Sequence, residues 1–397
     1  MIETLKPQTT EQVVEALAWA SAEESPVEIL GTGTKRGFGR PMGDGNRTIA
    51  HAVDLSGLSG ITLYEPEELV LSAWAGTPLA EIEAAVAEEG QMLAFEPPAL
   101  ARLYGSTGGT LGGMIACNLA GPRRIKAGAA RDHILGIESV TGRGELVKSG
   151  GRVVKNVTGY DLSKLLTGSF GTLAALTQIT IKVLPAPETV ETVLLTGLDD
   201  AAAVRAMALA MNSSHEVSAA AHVPVVHAGA VHGGSDAVTA IRIEGFVPSV
   251  AARSAALQEL LRLAGPVSTL DAEASKAFWA SIRDVEPFVD GNQALWRLSV
   301  TPSEAPVIVA DIPGGQPVYD WGGGLIWCRS DDGDAIRAAV AAHGGGHATL
   351  IRASEEMRRT ANVFEPQPAP LAALSARVKE SFDPRHILNP GRMYEGV

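Results

Sequence analysis

Two periods of apolar residues alternate along the first part of the chain. Val13, Val14, Leu17 and Ala18 recur at helical spacing behind Thr9 and Gln12, a capping box, and predict a first helix. The apolar run Pro26-Val-Glu-Ile-Leu30 predicts a strand, followed by a glycine-rich loop from Gly31 to Gly45. Strands are expected around Ala52–Leu55 and Leu69–Ala75, then a helix capped by Thr77, with Pro78 in its first turn and a stop at Gly90. From Gly105 to Gly171 glycine is too dense for a long helix. The alternation in Leu176-Thr-Gln-Ile-Thr-Ile-Lys-Val183 reads as a half-buried strand, and Pro185 and Pro187 end it at an expected domain boundary.

Beyond that boundary the pattern changes. Strands are predicted over Val190–Leu195, Val217–Val226, Val238–Phe246, Ala294–Val300 and Leu325–Cys328. Helices are predicted over Ala201–Met211, Val250–Leu263, Ala272–Ile282 and Ala335–His343. This order suits an antiparallel sheet backed by helices, with two ferredoxin-like halves, and makes the chain α+β. A Pro-rich linker, Val363–Pro370, leads to a last helix and the run Phe382-Asp-Pro-Arg-His-Ile-Leu-Asn-Pro-Gly-Arg392.

Composition narrows the function. At 397 residues the chain exceeds a single hydrophobic core, so two domains are expected. A net charge of -13 disfavours nucleic acid and anionic lipid, because phosphate recognition needs a concentrated basic face. The two cysteines, Cys117 and Cys328, are too few for a disulfide framework or a cluster-binding set, and they fit a reducing compartment. The first residues carry no secretory signal and no apolar run reaches the ~20 residues of a membrane span. A cytoplasmic protein is expected, without direct membrane insertion, so that any membrane association comes through partners.

Three glycine-rich stretches carry the candidate chemistry. In Gly31-Thr-Gly-Thr-Lys35, directly after a strand, closely spaced glycines let backbone N–H groups form a nest for phosphate oxygens. An ordinary turn is the alternative. The loop is neither a Rossmann fingerprint nor a Walker loop, since no apolar helix follows it and G-x-x-x-x-G-K-[ST] is absent. Gly105-Ser-Thr-Gly-Gly-Thr-Leu-Gly-Gly113, with Gly121-Pro-Arg-Arg-Ile-Lys126 and Gly128-Ala-Ala-Arg-Asp132 beyond it, suits a diphosphate gripped from a second side. Lys155-Asn-Val-Thr-Gly159-Tyr-Asp161 and Gly168-Ser-Phe-Gly-Thr-Leu173 form the third, with a short helix over Asp161–Leu166 presenting Thr158 and Gly159 to a planar ligand.

Taken in order, G-x-G-T, T-L-G-G-x-x-x-x-N-x-x-G, G-Y-D-L with G-S-x-G-T-L, and F-D-P-x-x-I-L-N-P-G resemble the vanillyl-alcohol-oxidase (PCMH-type) FAD-binding domain. The longer runs Gly121–Asp132 and Ser149–Asp161 are similar to the E-subunit family of bacterial glycolate oxidases. The resemblance implies a two-lobed FAD-binding domain over 1–187, an α+β cap over 188–360 for substrate or docking, and a segment over 361–397 that returns to the first domain. It assigns Gly31, Thr32, Gly33 and Thr34 to one side of the diphosphate and Thr110, Leu111, Gly112 and Gly113 to the other. Asn118, Gly121 and Asp132 would lie along the cofactor, backbone near Ile179 would face the adenine, and Asn389 and Pro390 would approach the flavin ring. Neither His nor Cys occurs in the Gly31–Thr34 loop, so the FAD is expected to be non-covalent.

For a small 2-hydroxy acid, the site needs a carboxylate anchor and a base beside the flavin. Arg297, in Trp296-Arg297-Leu-Ser, is the anchor candidate, because an arginine in an apolar strand is costly to bury without an anion. Its alternative is an outward, solvated position. His347 and Arg352 are further candidates, with surface positions as the alternative. His215, His222, His227 and His232 lack accompanying carboxylates at ligand spacing, so no metal site is expected. The implied function is oxidation of glycolate to glyoxylate beside a catalytic FAD-binding D subunit, with electrons passing to an iron–sulfur F subunit. The chain lacks the H-G-D-G-N-type run of related D-2-hydroxy-acid dehydrogenases. A non-catalytic FAD-holding relay or assembly subunit is therefore one alternative, and a self-sufficient FAD-dependent D-lactate or 2-hydroxy-acid dehydrogenase another.

Overall fold

A computed structural model describes residues 2–42, 48–152 and 159–396. The chain divides into two compact units. The first is built from Met1–Leu119, Ala129–Ala186 and Pro366–Val397, the second from Ala120–Gly128 and Pro187–Glu365. Among the described residues no helix is long and apolar enough to cross a membrane.

In the first unit, β1 (Glu3–Leu5), β2 (Val27–Leu30) and β3 (His51–Asp54) form a small parallel sheet in the order β1-β3-β2. The helix Thr10–Ala22 packs Val13, Leu17 and Ala20 beside Val27 and Val53 in one core. Thr9 caps it by accepting from the Gln12 amide. The larger sheet comprises β4 (Ile61–Glu65), β5 (Val70–Trp74), β7 (Ile134–Thr141), β8 (Leu146–Gly150) and β9 (Ala174–Lys182), in the order β4-β5-β9-β7-β8 and antiparallel throughout. β6 (Gln91–Met92) and β10 (Leu184–Pro185) pair as a minor ribbon. The glycine-dense stretch thus holds two strands, β7 and β8, as well as short helices. Thr77 does not cap the helix Leu79–Glu88, because its hydroxyl is drawn into the preceding turn by the Trp74 and Gly60 carbonyls. Pro78 occupies the cap position instead.

The second unit is one eight-stranded antiparallel sheet. Its strands are β11 (Thr189–Thr196), β12 (Ala219–Val223), β13 (Val238–Gly245), β14 (Val267–Leu270), β15 (Leu295–Val300), β16 (Gln316–Asp320), β17 (Leu325–Arg329) and β18 (Gly346–Arg352). Their order is β14-β11-β13-β12-β16-β17-β15-β18. Strands β11–β14 with helices Asp200–Met211 and Val247–Leu261 make one β-α-β-β-α-β half, and β15–β18 with helices Ala305–Ala310 and Gly333–Ala342 make the other. The halves join edge to edge at the His222–Tyr319 pairing. Val193, Ile241, Trp296, Leu298, Ile326 and Leu350 fill the core on one sheet face. The strand expected over Val217–Val226 is shorter, because Pro224 ends the ladder and starts the helix Val225–His232.

Candidate functional site

A cleft in the first unit, open to solvent and spanning about 800 Å³, brings three segments of the chain together. Its first wall is the turn after β2. Gly33 has φ +74°, a left-handed conformation that glycine adopts without strain. A Cβ on Gly31 would meet Thr110 Oγ1 at 2.6 Å, so the turn lies directly against the second glycine loop. Thr32 Oγ1 donates to the Gly108 carbonyl at 2.7 Å, and Thr34 Oγ1 donates to the same oxygen. With both hydroxyls fixed, the amide N–H groups of Thr32, Gly33, Thr34 and Lys35 donate to no acceptor among the described residues. Such a run of free N–H groups on a cleft wall is an anion nest.

The second wall is the start of the helix Leu111–Cys117. Thr110 caps it, its Oγ1 accepting from Gly113 N at 3.2 Å. Gly112 N donates to the Ala75 carbonyl at 2.7 Å, and a Cβ on Gly112 would meet Ala75 Cβ at 2.8 Å. Only glycine permits that approach, and it leaves Gly112 and Gly113 lining the cleft.

The third wall comes from the end of the chain. Asn389 accepts from Ile29 N through Oδ1 and donates through Nδ2 to the Phe170 carbonyl, each at 2.7 Å. Behind it Lys379, fully buried, donates to the carbonyls of Thr172 and Leu388 and to Asp383. Asp383 in turn accepts from the amides of Ile387 and Leu388. The loop that carries Asn389 is therefore held from both ends.

The cleft is electropositive. The Lys35 ammonium has no hydrogen-bond or ion-pair partner among the described residues, and burial lowers its pKa, with the nearby Cys117 opposing. Burial raises the Cys117 thiol, against the pull of Lys35 and Arg392, so it stays protonated. Arg392 donates to the Lys35 carbonyl at 2.8 Å, while Arg36 is engaged by the buried Glu28. The basic wall, the free amides and the paired glycine loops fit the diphosphate of a dinucleotide.

Of the residues singled out in the sequence, Gly31, Thr32, Gly33, Thr34, Thr110, Gly112, Gly113 and Asn389 meet at this cleft. Leu111 and Pro390 are buried beside it. Asn118 ends the helix in a left-handed conformation and accepts from Arg131 N, and Asp132 accepts from Ala129 N. Ile179 is buried in β9 between Ala73 and Ile137, farther along the strand than Ala174 and Leu176, which line the cleft. Gly121 belongs to the second unit, where its carbonyl accepts from Trp321 Nε1 at 3.0 Å. Gly159 is exposed at φ +83°, and Thr158 lies outside the described residues. Lys35, Cys117, Phe170 and Arg392 also line the cleft without having been assigned roles. Lys35 had a sequence signal, since it directly follows the nest.

Arg297, His347 and Arg352 all lie in the second unit. Arg297 sits on β15, partly buried, facing away from Trp296 and Leu298, with its guanidinium 5.0 Å from the Trp321 ring centroid. His347, opposite Ser299, is exposed, and Arg352 donates to the Val289 carbonyl at 3.0 Å. Of the four histidines, His222 is buried against Thr239 and Asp200, His227 packs on Phe288, and His232 contacts the Asp236 carbonyl. His215 leads into the backbone that receives Arg253. No three His, Cys, Asp or Glu side chains among the described residues are grouped as metal ligands.

Residues 3–150 match the model of an FAD binding domain family. The chain is 36% identical over 386 residues to glycolate oxidase subunit GlcE of Escherichia coli, covering 97% of each protein. It is 30% identical over 190 residues to glycolate oxidase subunit GlcD of Bacillus subtilis, spanning 48% of this chain and 38% of that one. Among solved structures, p-cresol methylhydroxylase superimposes with a TM-score of 0.72 over 98% of this chain and 88% of its own, at 15% identity, a likeness of fold.

Proposed function

Since the chain belongs to the GlcE family of FAD-linked oxidoreductases, we propose that it is the flavin-holding subunit of a complex that oxidises glycolate to glyoxylate. The observation that carries this reading is the nest of free amides at Thr32–Lys35 facing Gly112 and Gly113 across a basic cleft. Bound FAD supplies the two-electron acceptor for oxidation of the carbinol carbon. The chain's own residues bind and orient it. The Thr32–Lys35 amides and the Lys35 ammonium hold the diphosphate, Gly112 and Gly113 let it approach the helix backbone, and Asn389 with Phe170 fixes the far wall. Non-covalent attachment fits the lack of His and Cys in the Gly31–Thr34 loop, and burial keeps the Cys117 thiol that lines the cleft protonated.

Electrons then pass to a partner, and any iron–sulfur cluster on that path belongs to it, because two cysteines cannot supply the thiolates of a cluster. The absence of the H-G-D-G-N-type run favours a second reading, in which a GlcD-like partner performs the oxidation and this chain relays electrons or supports assembly. An anaerobic absorption spectrum separates the two. Flavin bands that bleach on adding glycolate to the isolated chain place the oxidation here. Bands that persist until the partners are added assign it to them. A purified chain that neither carries nor takes up FAD overturns both readings.

A further inference from the structure

The second unit carries a polar site of its own on the sheet face opposite its core. Strand alternation turns Arg297 and Ser299 to this face, beside Trp327 on β17 and Thr349 and His347 on β18. At the end of β16 the buried ring of Trp321 lies against two guanidinium groups, that of Arg124 at 4.3 Å and that of Arg297 at 5.0 Å from its centroid. The Trp321 indole N–H is committed to the Gly121 carbonyl, which ties the Ala120–Gly128 segment to the sheet and places Arg124 there.

The Arg297 guanidinium makes no hydrogen bond and no ion pair among the described residues, although its fork offers five N–H donors. Asp320, the acidic group whose charge is felt at Arg297, is buried, and its Oδ1 accepts from Trp321 N at 2.7 Å. Burial, then the Arg124 charge, pushes the Arg297 guanidinium down to about 10, with Asp320 opposing, so it remains a cation at neutral pH. The hydroxyls of Ser299 and Thr349, on the same face, also lack hydrogen-bond partners among the described residues. Two neighbouring cations on an aromatic platform, one with all its donors free, are costly without an anion to share.

The geometry points to a binding site for a small 2-hydroxy carboxylate built from Arg297, Arg124 and Trp321, with Thr349 and Ser299 as hydroxyl partners. The guanidinium fork matches a planar carboxylate, and the adjacent threonine and serine offer donors and acceptors to a hydroxyl on the next carbon. From the preceding reading this assignment takes only the chemical class of the ligand. All its side chains lie in the second unit, so occupancy does not require FAD.

The test is a glycolate titration of the full chain, stripped of flavin so that no turnover intervenes, at constant ionic strength and followed by tryptophan fluorescence and calorimetry. Saturable binding is expected, with acetate binding several-fold more weakly for want of the hydroxyl. Arg297→Met and Arg124→Met are each expected to weaken glycolate at least tenfold, and Arg297→Lys to give an intermediate loss because it keeps the charge without the fork. Absent binding in the unsubstituted chain overturns the assignment, as does unchanged affinity in Arg297→Met. Acetate binding as tightly as glycolate removes the 2-hydroxy specificity. If Arg297→Met fails to fold, Arg297→Lys and Arg124→Met decide. FAD uptake is measured in parallel, so a chain that binds glycolate but not flavin fails the flavin reading alone, and the reverse result fails this one alone.

Discussion

Lys35 and Gly112 show how single residues define the cleft. Lys35 brings a partly desolvated cation to the nest, and its ammonium meets no partner among the described residues, which leaves it available to a ligand. Lys35→Met should therefore weaken FAD binding about tenfold or more, the scale of a charge-assisted hydrogen bond, with little effect on melting of the FAD-free chain. Flavin titration followed by fluorescence quenching checks this. Gly112 acts through shape alone. In Gly112→Ala the added methyl meets Ala75 at 2.8 Å, which should cost about 1–3 kcal/mol of stability and displace the helix start from the diphosphate. Flavin content and melting temperature should fall together there, whereas Lys35→Met moves only the first. The glycines were legible in the sequence because a dense glycine run after a strand sacrifices chain entropy, a loss offset only where the backbone must come close to something. That Lys35 turns into the cleft was not, since a lysine beside a loop is usually solvated.

The C-terminal helix Ala369–Phe382 and the loop after it form an element whose return to the first unit the sequence resemblance implies and whose anchoring appears only in three dimensions. Lys379 spends its donors on Asp383 and two carbonyls in order to fix the backbone that carries Asn389. Lys379→Met leaves a buried carboxylate without its cation and should cost roughly 3–5 kcal/mol, with FAD affinity falling as the Asn389 loop loosens. Chemical denaturation of the FAD-free chain measures the first effect. A second element, the helix Val225–His232, buries His227, whose pKa burial pushes down to about 4. Below its ordinary value near 6.5 the unfolded chain takes up a proton that the folded chain refuses. The second unit should therefore lose stability as pH falls from 6.5 towards 4, by at most about 3 kcal/mol, and His227→Leu should flatten that slope. Neither element was fully readable beforehand. Periodicity located four helices of the second unit, Asp200–Met211, Val247–Leu261, Ala272–Arg283 and Gly333–Ala342, and placed β9 to within two residues at each end, but it missed Val225–His232 and Ala305–Ala310. It extended the strand at Val217–Val226 too far because an apolar run after Pro224 looks the same in a strand and a helix. The strands β7 and β8 were hidden by the glycines and polar residues around them.

At the scale of the whole chain, the two units should answer differently to the cofactor. The nest, the helix start and the Asn389 loop all belong to the first unit, so excess FAD should raise one calorimetric transition by about 3 kcal/mol at a hundredfold excess over Kd and leave the other in place. A single transition that moves as a whole would show instead that the units unfold together. The first unit is also discontinuous, since its three segments are separated by Ala120–Gly128 and Pro187–Glu365. A ribosome therefore releases every residue of the second unit before it has made the last part of the first. The nascent chain can finish its large sheet early, but it must keep the flavin half waiting, open on the side that Asn389 will close. FAD capture is then a late, post-synthetic event. A stalled or clipped chain that lacks Pro366–Val397 should fold its second unit and never turn yellow.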